Sequence, residues 1–333
     1  MACMSGVRPE WWRFAASLVL CAGLFAVRDP AHAVSIELKD VAADRIERQR
    51  AHEAGRLPLP DTPEVGRLDA RLEEAGVKTG APILMRVFKA SSELELWIEK
   101  DKRFILFASY PICHWSGTLG PKLKEGDKQT PEGFYTITQR QTRHLGRWRS
   151  AINLGFPNAF DRAHSRNGSF ILMHGGCSSV GCFAMTDPVM REIHDLTKAA
   201  IERGQRHVPV HVFPFRMTER VLAEHATHEW HPFWTTLKAG YDSFERTRRP
   251  PRISVCKREY YIEDAGAETA LAEPPPSRRD RHRKRNRFRS DAGGPGSIRV
   301  ACPKPVVAEA DTKSKDHVKT GEARPTAPQL ATQ

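Results

Sequence analysis

The sequence predicts an α+β fold, mainly β: a sheet or β-sandwich core, a helix directly after a glycine-rich turn, and a helical C-terminal extension. Three observations carry this. Residues 83–88, 93–98 and 104–110 alternate or run apolar at strand length, and the charged turns between them suit hairpins. Between two further apolar runs, 170–173 and 208–213, lies a segment with helix signals at both ends. After the last run, residues 217–248 carry Trp230, Phe233, Trp234, Leu237, Tyr241 and Phe244 at helical spacing, a stripe that reads as packing against the core.

In chain order, Arg8 and Arg13 bracket a short basic start, residues 14–27 are apolar except for Ser17, and Ala31-His32-Ala33 offers a small-x-small cleavage site. Residues 1–33 therefore read as a secretory signal peptide. About fourteen apolar residues fall short of the roughly twenty that a membrane-spanning helix needs. Residues 34–79 form a polar, turn-rich linker with Pro58, Pro60 and Pro63 ahead of one short helix, in which Leu68, Leu72 and Ala75 share a face and Gly76 caps the end. After the three hairpin strands, residues 153–166 read as a loop leading to 170–173, which is expected to be a central buried strand. Thr186 or Asp187 can cap a helix beginning at Pro188, Gly204 can end it, and Val189, Ile193, Leu196 and Ala200 form its apolar stripe. Pro250-Pro251 ends the extension, and 253–262 reads as a short closing strand.

The chemistry concentrates in His174-Gly175-Gly176-Cys177-Ser178-Ser179-Val180-Gly181-Cys182-Phe183-Ala184. A thiol attacks as thiolate, and a neighbouring imidazole or a dense set of backbone N–H groups lowers its pKa. Glycines beside Cys182 clear space for a substrate carbonyl and free backbone N–H groups for a developing oxyanion. Cys182 is thus the candidate nucleophile, His174 the candidate base, and Gly181 a backbone oxyanion donor. Ser179 reads as a turn-stabilising hydrogen bonder rather than a nucleophile. His194 reads as a packed or surface histidine.

Ser179-x-Gly181-Cys182, preceded by His174-Gly175, resembles the signature of the YkuD-type L,D-transpeptidases, cysteine enzymes that remodel bacterial peptidoglycan. Upstream, Thr130-Pro131-Glu132-Gly133-Phe134-Tyr135 is similar to that domain's TPxG segment, and Trp115-Ser116-Gly117 through Gly126-Asp127 to the stretch before it. The short spacing from His174 to Cys182, and Ala184 where the main branch has arginine, resemble the YafK-like branch. The resemblance covers residues 80–215 as the catalytic domain and 216–263 as a helical extension. It implies a Cys182 acyl-enzyme on peptidoglycan stem peptides, no cofactor, and a backbone carbonyl near the turn, such as that of Ser179, orienting His174. Ser179, Arg166, Trp115 and Ser116 are the candidate substrate contacts, with Lys122 and Lys124 as further partners for stem carboxylates. The acceptor separates two activities: an amine gives crosslinking, and water gives hydrolysis of peptidoglycan-linked bonds, including bonds to an outer-membrane lipoprotein.

The net charge is +12, and residues 278–289 hold eight Lys and Arg against Asp280 alone. Such a run suits nucleic acid. The exported start argues instead for a periplasmic protein with no nucleic-acid partner, whose tail meets an anionic envelope surface if it meets any partner. Residues 264–333 are rich in Pro, Ala, Gly and charge and read as a disordered basic tail.

Five of the seven cysteines lie beyond the signal, an odd number that leaves at least one thiol unpaired. Cys182 is expected to be that thiol, with a reversible Cys177–Cys182 disulfide as an alternative that would switch the site off. A zinc site built from His174, Cys177, Cys182 and His164 has no common zinc spacing, so no metal is expected. A catalytically silent peptidoglycan-binding module is the remaining alternative.

Overall fold

The structure, a computed structural model, describes residues 45–143, 146–265, 298–300 and 302. In chain order the elements are α1 (Arg45–Glu53), a 3-10 turn (Val65–Arg67), α2 (Leu68–Ala75), β1 (Ile83–Phe88), β2 (Glu93–Lys100), β3 (Arg103–Pro111), β4 (Gly133–Ile137), β5 (Ile152–Asn153), α3 (Ala159–Ala163), β6 (Leu172–His174), β7 (Phe183–Ala184), α4 (Asp187–Glu202), β8 (Val208–Phe213), α5 (Glu219–Glu224), α6 (His231–Thr247), β9 (Arg252–Cys256), β10 (Glu259–Glu263) and β11 (Ile298–Val300). The fold is α+β and sheet-rich, as the sequence predicts.

The main sheet has the order β3-β2-β1-β8-β4. β1, β2 and β3 form the expected antiparallel meander, β8 joins β1 in parallel, and β4 closes the far side antiparallel to β8. β1 and β8 are buried along their whole length, so apart from Arg86 and His211 their sequences run apolar instead of alternating. Side chains still alternate between the two faces. Leu84 clusters with Trp97, Phe104 and Phe244 of α6, while Phe88 meets Tyr241 of α6 edge-on at 6.3 Å. Met85 and Val87, on the other face, share a core with Val189, Ile193 and Leu196 of α4 and with Met173 and Phe183 of the small sheet.

Several expectations need correction. Residues 170–173 are only partly strand: β6 starts at Leu172 and ends at His174, and although buried and central, it is central to a separate three-stranded sheet ordered β5-β6-β7, while β8 takes the position between β1 and β4 in the main sheet. Phe170 is 70 % exposed with a φ of 52°. The 153–166 loop contains β5 at its start and α3, which opens with a capping box between Asn158 and Asp161. The extension splits into α5 and α6. Residues 253–262 form a hairpin, β9 and β10, that turns at Lys257 and Arg258 with φ of 48° and 71°, as a two-residue type I′ connection demands. The linker contains α1, whose Arg48 donates to Ser92 O at 2.8 Å. Disorder over all of 264–333 does not hold either: β11 pairs in parallel with β9, and Cys302 is bonded to Cys256. The 1–33 signal and the basic run 278–289 lie outside the described residues. Two helix readings are met closely: α2 ends at Gly76 in the left-handed region, and α4 begins after Thr186 with Pro188 in its first turn.

One polar knot ties the sheet to the site. The Lys89 ammonium, fully buried at the end of β1, lies 2.8 Å from Thr118 O, 3.0 Å from Gly120 O, 3.1 Å from Thr130 O and 2.9 Å from Glu132 Oε1. Glu132 also accepts from Gly120 N–H at 2.6 Å and Trp234 Nε1 at 2.8 Å. Removing one partner of a buried pair strands the other charge. Lys89→Met should therefore cost about 3–5 kcal/mol, read as a lower denaturation midpoint. Adding Glu132→Leu should recover only part, since Gly120 N–H and Trp234 Nε1 lose their acceptor.

Candidate active site

β6 and β7 run parallel with Met173 opposite Phe183 and His174 opposite Ala184, yet only residues 175–182 connect them. Parallel neighbours ordinarily need a longer crossover. The chain closes this one with left-handed backbone at Gly176 (φ 86°), Cys177 (φ 50°) and Gly181 (φ 106°). At Gly181 an added Cβ would make only ordinary contacts, so the dihedral is what demands glycine there. The register sets Cys182 beside Leu172, whose N–H points at Cys182 Sγ at 3.3 Å. His174, two residues further along β6, is its diagonal neighbour across the strand pair.

Hydroxyls and a loop fix the turn. Ser179 Oγ donates to Cys182 O at 2.6 Å, in keeping with a turn-stabilising role, and Thr130 Oγ1 reaches the same carbonyl at 3.5 Å. Gly181 N–H donates to Ser116 Oγ at 2.5 Å, and Ser116 Oγ in turn donates to Lys128 O at 2.7 Å. The Gly181 N–H thus reaches an oxyanion only by giving up Ser116. On the other side, Cys113 N–H and His114 N–H donate to Ala184 O, and Cys177 N–H donates to Met185 O.

Cys113 and Cys177 form a disulfide across 64 residues, Cys256 and Cys302 form another, and among the described cysteines Cys182 is free. Cys182 is the unpaired thiol, as expected, but the alternative Cys177–Cys182 bridge is corrected: Cys177 belongs to Cys113. That bond also removes Cys177 from the zinc alternative.

The Cys182 thiol is half-buried. Burial pushes its pKa up, against the pull of the Leu172 N–H and the positive charge of Lys122. Lys122 is held by Asp127 and by Lys124 O. His174 is buried, and its Nδ1 lies 2.6 Å from Gly175 O. A carbonyl can only accept, so Nδ1 carries the proton and Nε2 is left as the basic nitrogen. The orienting carbonyl is therefore that of Gly175 in place of Ser179.

The candidate substrate contacts divide. Trp115 is corrected to a core residue, fully buried with Nε1 donating to Ser92 Oγ at 3.1 Å. Arg166 is corrected too: it is buried, paired with Asp161 at 3.0 Å, and packed over Phe160 and Phe233. Ser116 supports the turn from behind. Lys122 lies near the thiol, while Lys124 is exposed on the same loop. His194 is a packed histidine, within reach of Asp195 and Thr142 O. The sequence reading missed Trp148, whose ring stacks on His174 with centroids 4.5 Å apart. A lone aromatic in the basic, irregular stretch 139–150 carries no periodic signal.

The L,D-transpeptidase catalytic domain family, YkuD, matches residues 86–212. Over 183 residues the chain is 42 % identical to the Escherichia coli K12 protein named "Putative L,D-transpeptidase YafK", which covers 55 % of this chain and 74 % of that protein. The counterpart in Escherichia coli O157:H7 matches to the same extent. The chain belongs to the YkuD L,D-transpeptidase family. Among solved structures, the helical cell shape determining protein Pgp2 of Campylobacter jejuni is 21 % identical over 44 % of this chain and 54 % of that one, with a TM-score of 0.30. Bd1075 of Bdellovibrio bacteriovorus is 21 % identical over 40 % of this chain and 49 % of that one, with a TM-score of 0.29. The chain thus spans about half the length of each of these two structures. No helix among the described residues is long and apolar enough to cross a membrane.

Two outcomes follow from this geometry. Lys122→Met removes a charge that favours the thiolate, so the pH midpoint for alkylation of Cys182 by iodoacetamide should move upward and the rate at fixed neutral pH should fall. Replacing Cys113 and Cys177 together by alanine should cost about 2–5 kcal/mol in a denaturation titration, since the bond closes a long loop in the unfolded chain.

Proposed function

We propose that the protein is a periplasmic cysteine acyltransferase, an L,D-transpeptidase acting on peptidoglycan stem peptides through a Cys182 acyl-enzyme. The observation that carries the reading is a free, half-buried thiol diagonal to an imidazole whose tautomer leaves Nε2 basic, in a chain whose other described cysteines are paired. His174 Nε2 takes the Cys182 proton, and the thiolate attacks the carbonyl carbon of an L-centre joined to a D-centre. The tetrahedral oxyanion is held by the N–H of Cys182 and by that of Gly181 once it leaves Ser116. As the C–N bond breaks, His174 gives its proton to the departing amine, and a thioester remains. A second stem's amine then attacks the thioester, its proton passes to His174, and the Cys182 thiol is restored.

The signal-like start supports export, and two disulfides suit an oxidising compartment. A peptidoglycan-linked lipoprotein is a further candidate substrate, drawn from the YafK-like features of the turn.

The test is mass spectrometry of the mature chain incubated with muropeptides, with and without a lysine-linked lipoprotein peptide, beside Cys182→Ala. The proposal expects crosslinked dimers that require Cys182. Released stems or released lipoprotein peptide without dimers would assign hydrolysis to the same acyl-enzyme. No Cys182-dependent change in the muropeptides would overturn the enzymatic reading for these substrates and leave the chain a binding module.

A further inference from the structure

Trp148 stands where neither strand pairing nor the hydrophobic core requires an aromatic. Its ring lies nearly parallel to the His174 imidazole, at 18° with centroids 4.5 Å apart, and the Arg147 guanidinium lies over the Trp148 ring at 4.6 Å. The turn is shaped to admit it: a Cβ on Gly176 would sit 2.3 Å from the indole ring, so a side chain at that position would displace Trp148. The segment bearing Trp148 is fastened to the strand bearing His174. Ala151 N–H donates to Trp148 O at 3.3 Å, Ile152 pairs with Met173, and Leu154 N–H donates to Ile171 O at 2.9 Å. On the remaining sides, Gly175 O fixes Nδ1, and Gly175 itself lies against Asp187 at the start of α4.

We propose that Trp148 is a positioning residue for His174: its indole face holds the imidazole plane at the angle from which Nε2 meets the Cys182 thiol. The inference rests on the reading of His174 as the base. The Gly175 carbonyl restrains the ring at Nδ1, and the stacked indole restrains its tilt about that contact. The same π face attracts the imidazolium that forms when His174 takes the proton. Among the described residues, the charged groups around the pair include Arg147 beyond the indole, Asp187 behind Gly175, and Lys122 on the thiol side.

The test uses iodoacetamide, which reads the Cys182–His174 pair without any peptidoglycan substrate. The mature, disulfide-bonded chain is alkylated at about pH 7, where the imidazole must help, and on the high-pH plateau of the wild-type rate, where Cys182 is ionised without it. The ratio of the two rates is compared for wild type, Trp148→Phe, Trp148→Leu, His174→Ala and the Trp148→Leu/His174→Ala double variant. Trp148→Phe should keep the ratio within about twofold. Trp148→Leu, which keeps apolar bulk but presents no π face, should lower it about tenfold, and the double variant should fall no lower than His174→Ala alone. The rate at high pH should be unchanged in all, which a general loss of structure would not allow. A wild-type ratio in Trp148→Leu, or independent losses that multiply in the double variant, would overturn the role of Trp148 alone. A His174→Ala ratio equal to wild type would overturn both this inference and the assignment of His174 as base.

Discussion

The buried ion pair of Lys89 and Glu132 is the constraint on which the site depends. An ammonium removed from water must find oxygen partners, and Lys89 finds them in the carbonyls of Thr118, Gly120 and Thr130 and in the Glu132 carboxylate. These acceptors come from one irregular stretch, residues 118–132, which has no ladder of its own to set its path. The charge at the end of β1 thereby determines where Ser116 and Thr130 stand. Those two residues meet the turn at Gly181 N–H and Cys182 O. Trp234 of α6 closes the same knot through Glu132, so the C-terminal extension supports the site through the core.

Around the thiol, opposing effects are set close together. Burial disfavours the thiolate, while the Leu172 N–H and the Lys122 charge favour it. On the proposed mechanism, a thiol whose ionised form burial disfavours depends on its imidazole at the moment of attack. The orientation of His174 therefore matters more here than in a site where the cysteine is already ionised.

Much of this arrangement was legible in the sequence because it is local. Apolar runs of strand length gave β1, β2, β3 and β8, and Thr186, Pro188 and Gly204 bounded α4. The Cys182 turn announced itself through glycine, thiol and imidazole within nine residues. What was hidden is non-local. The partner of Cys177 lies 64 residues away, and neither spacing nor composition selects it. Trp115 and Arg166 looked like ligand contacts because their types often are, whereas burial against Ser92 and Asp161 makes them structural. That β6 sits in a second, small sheet was not legible, because a short apolar run carries no mark of the sheet to which it belongs.

The Cys256–Cys302 bond changes the connectivity of the C-terminal region. With β11 paired to β9 and the sulfurs joined across 46 residues, the chain between the two cysteines is a covalent ring with no free end. A single protease cut within that ring leaves both fragments on one molecule. The eight basic residues would then leave the protein only after a second cut or after reduction, so the lifetime of that charge on the protein is governed by thiol chemistry as well as by proteolysis.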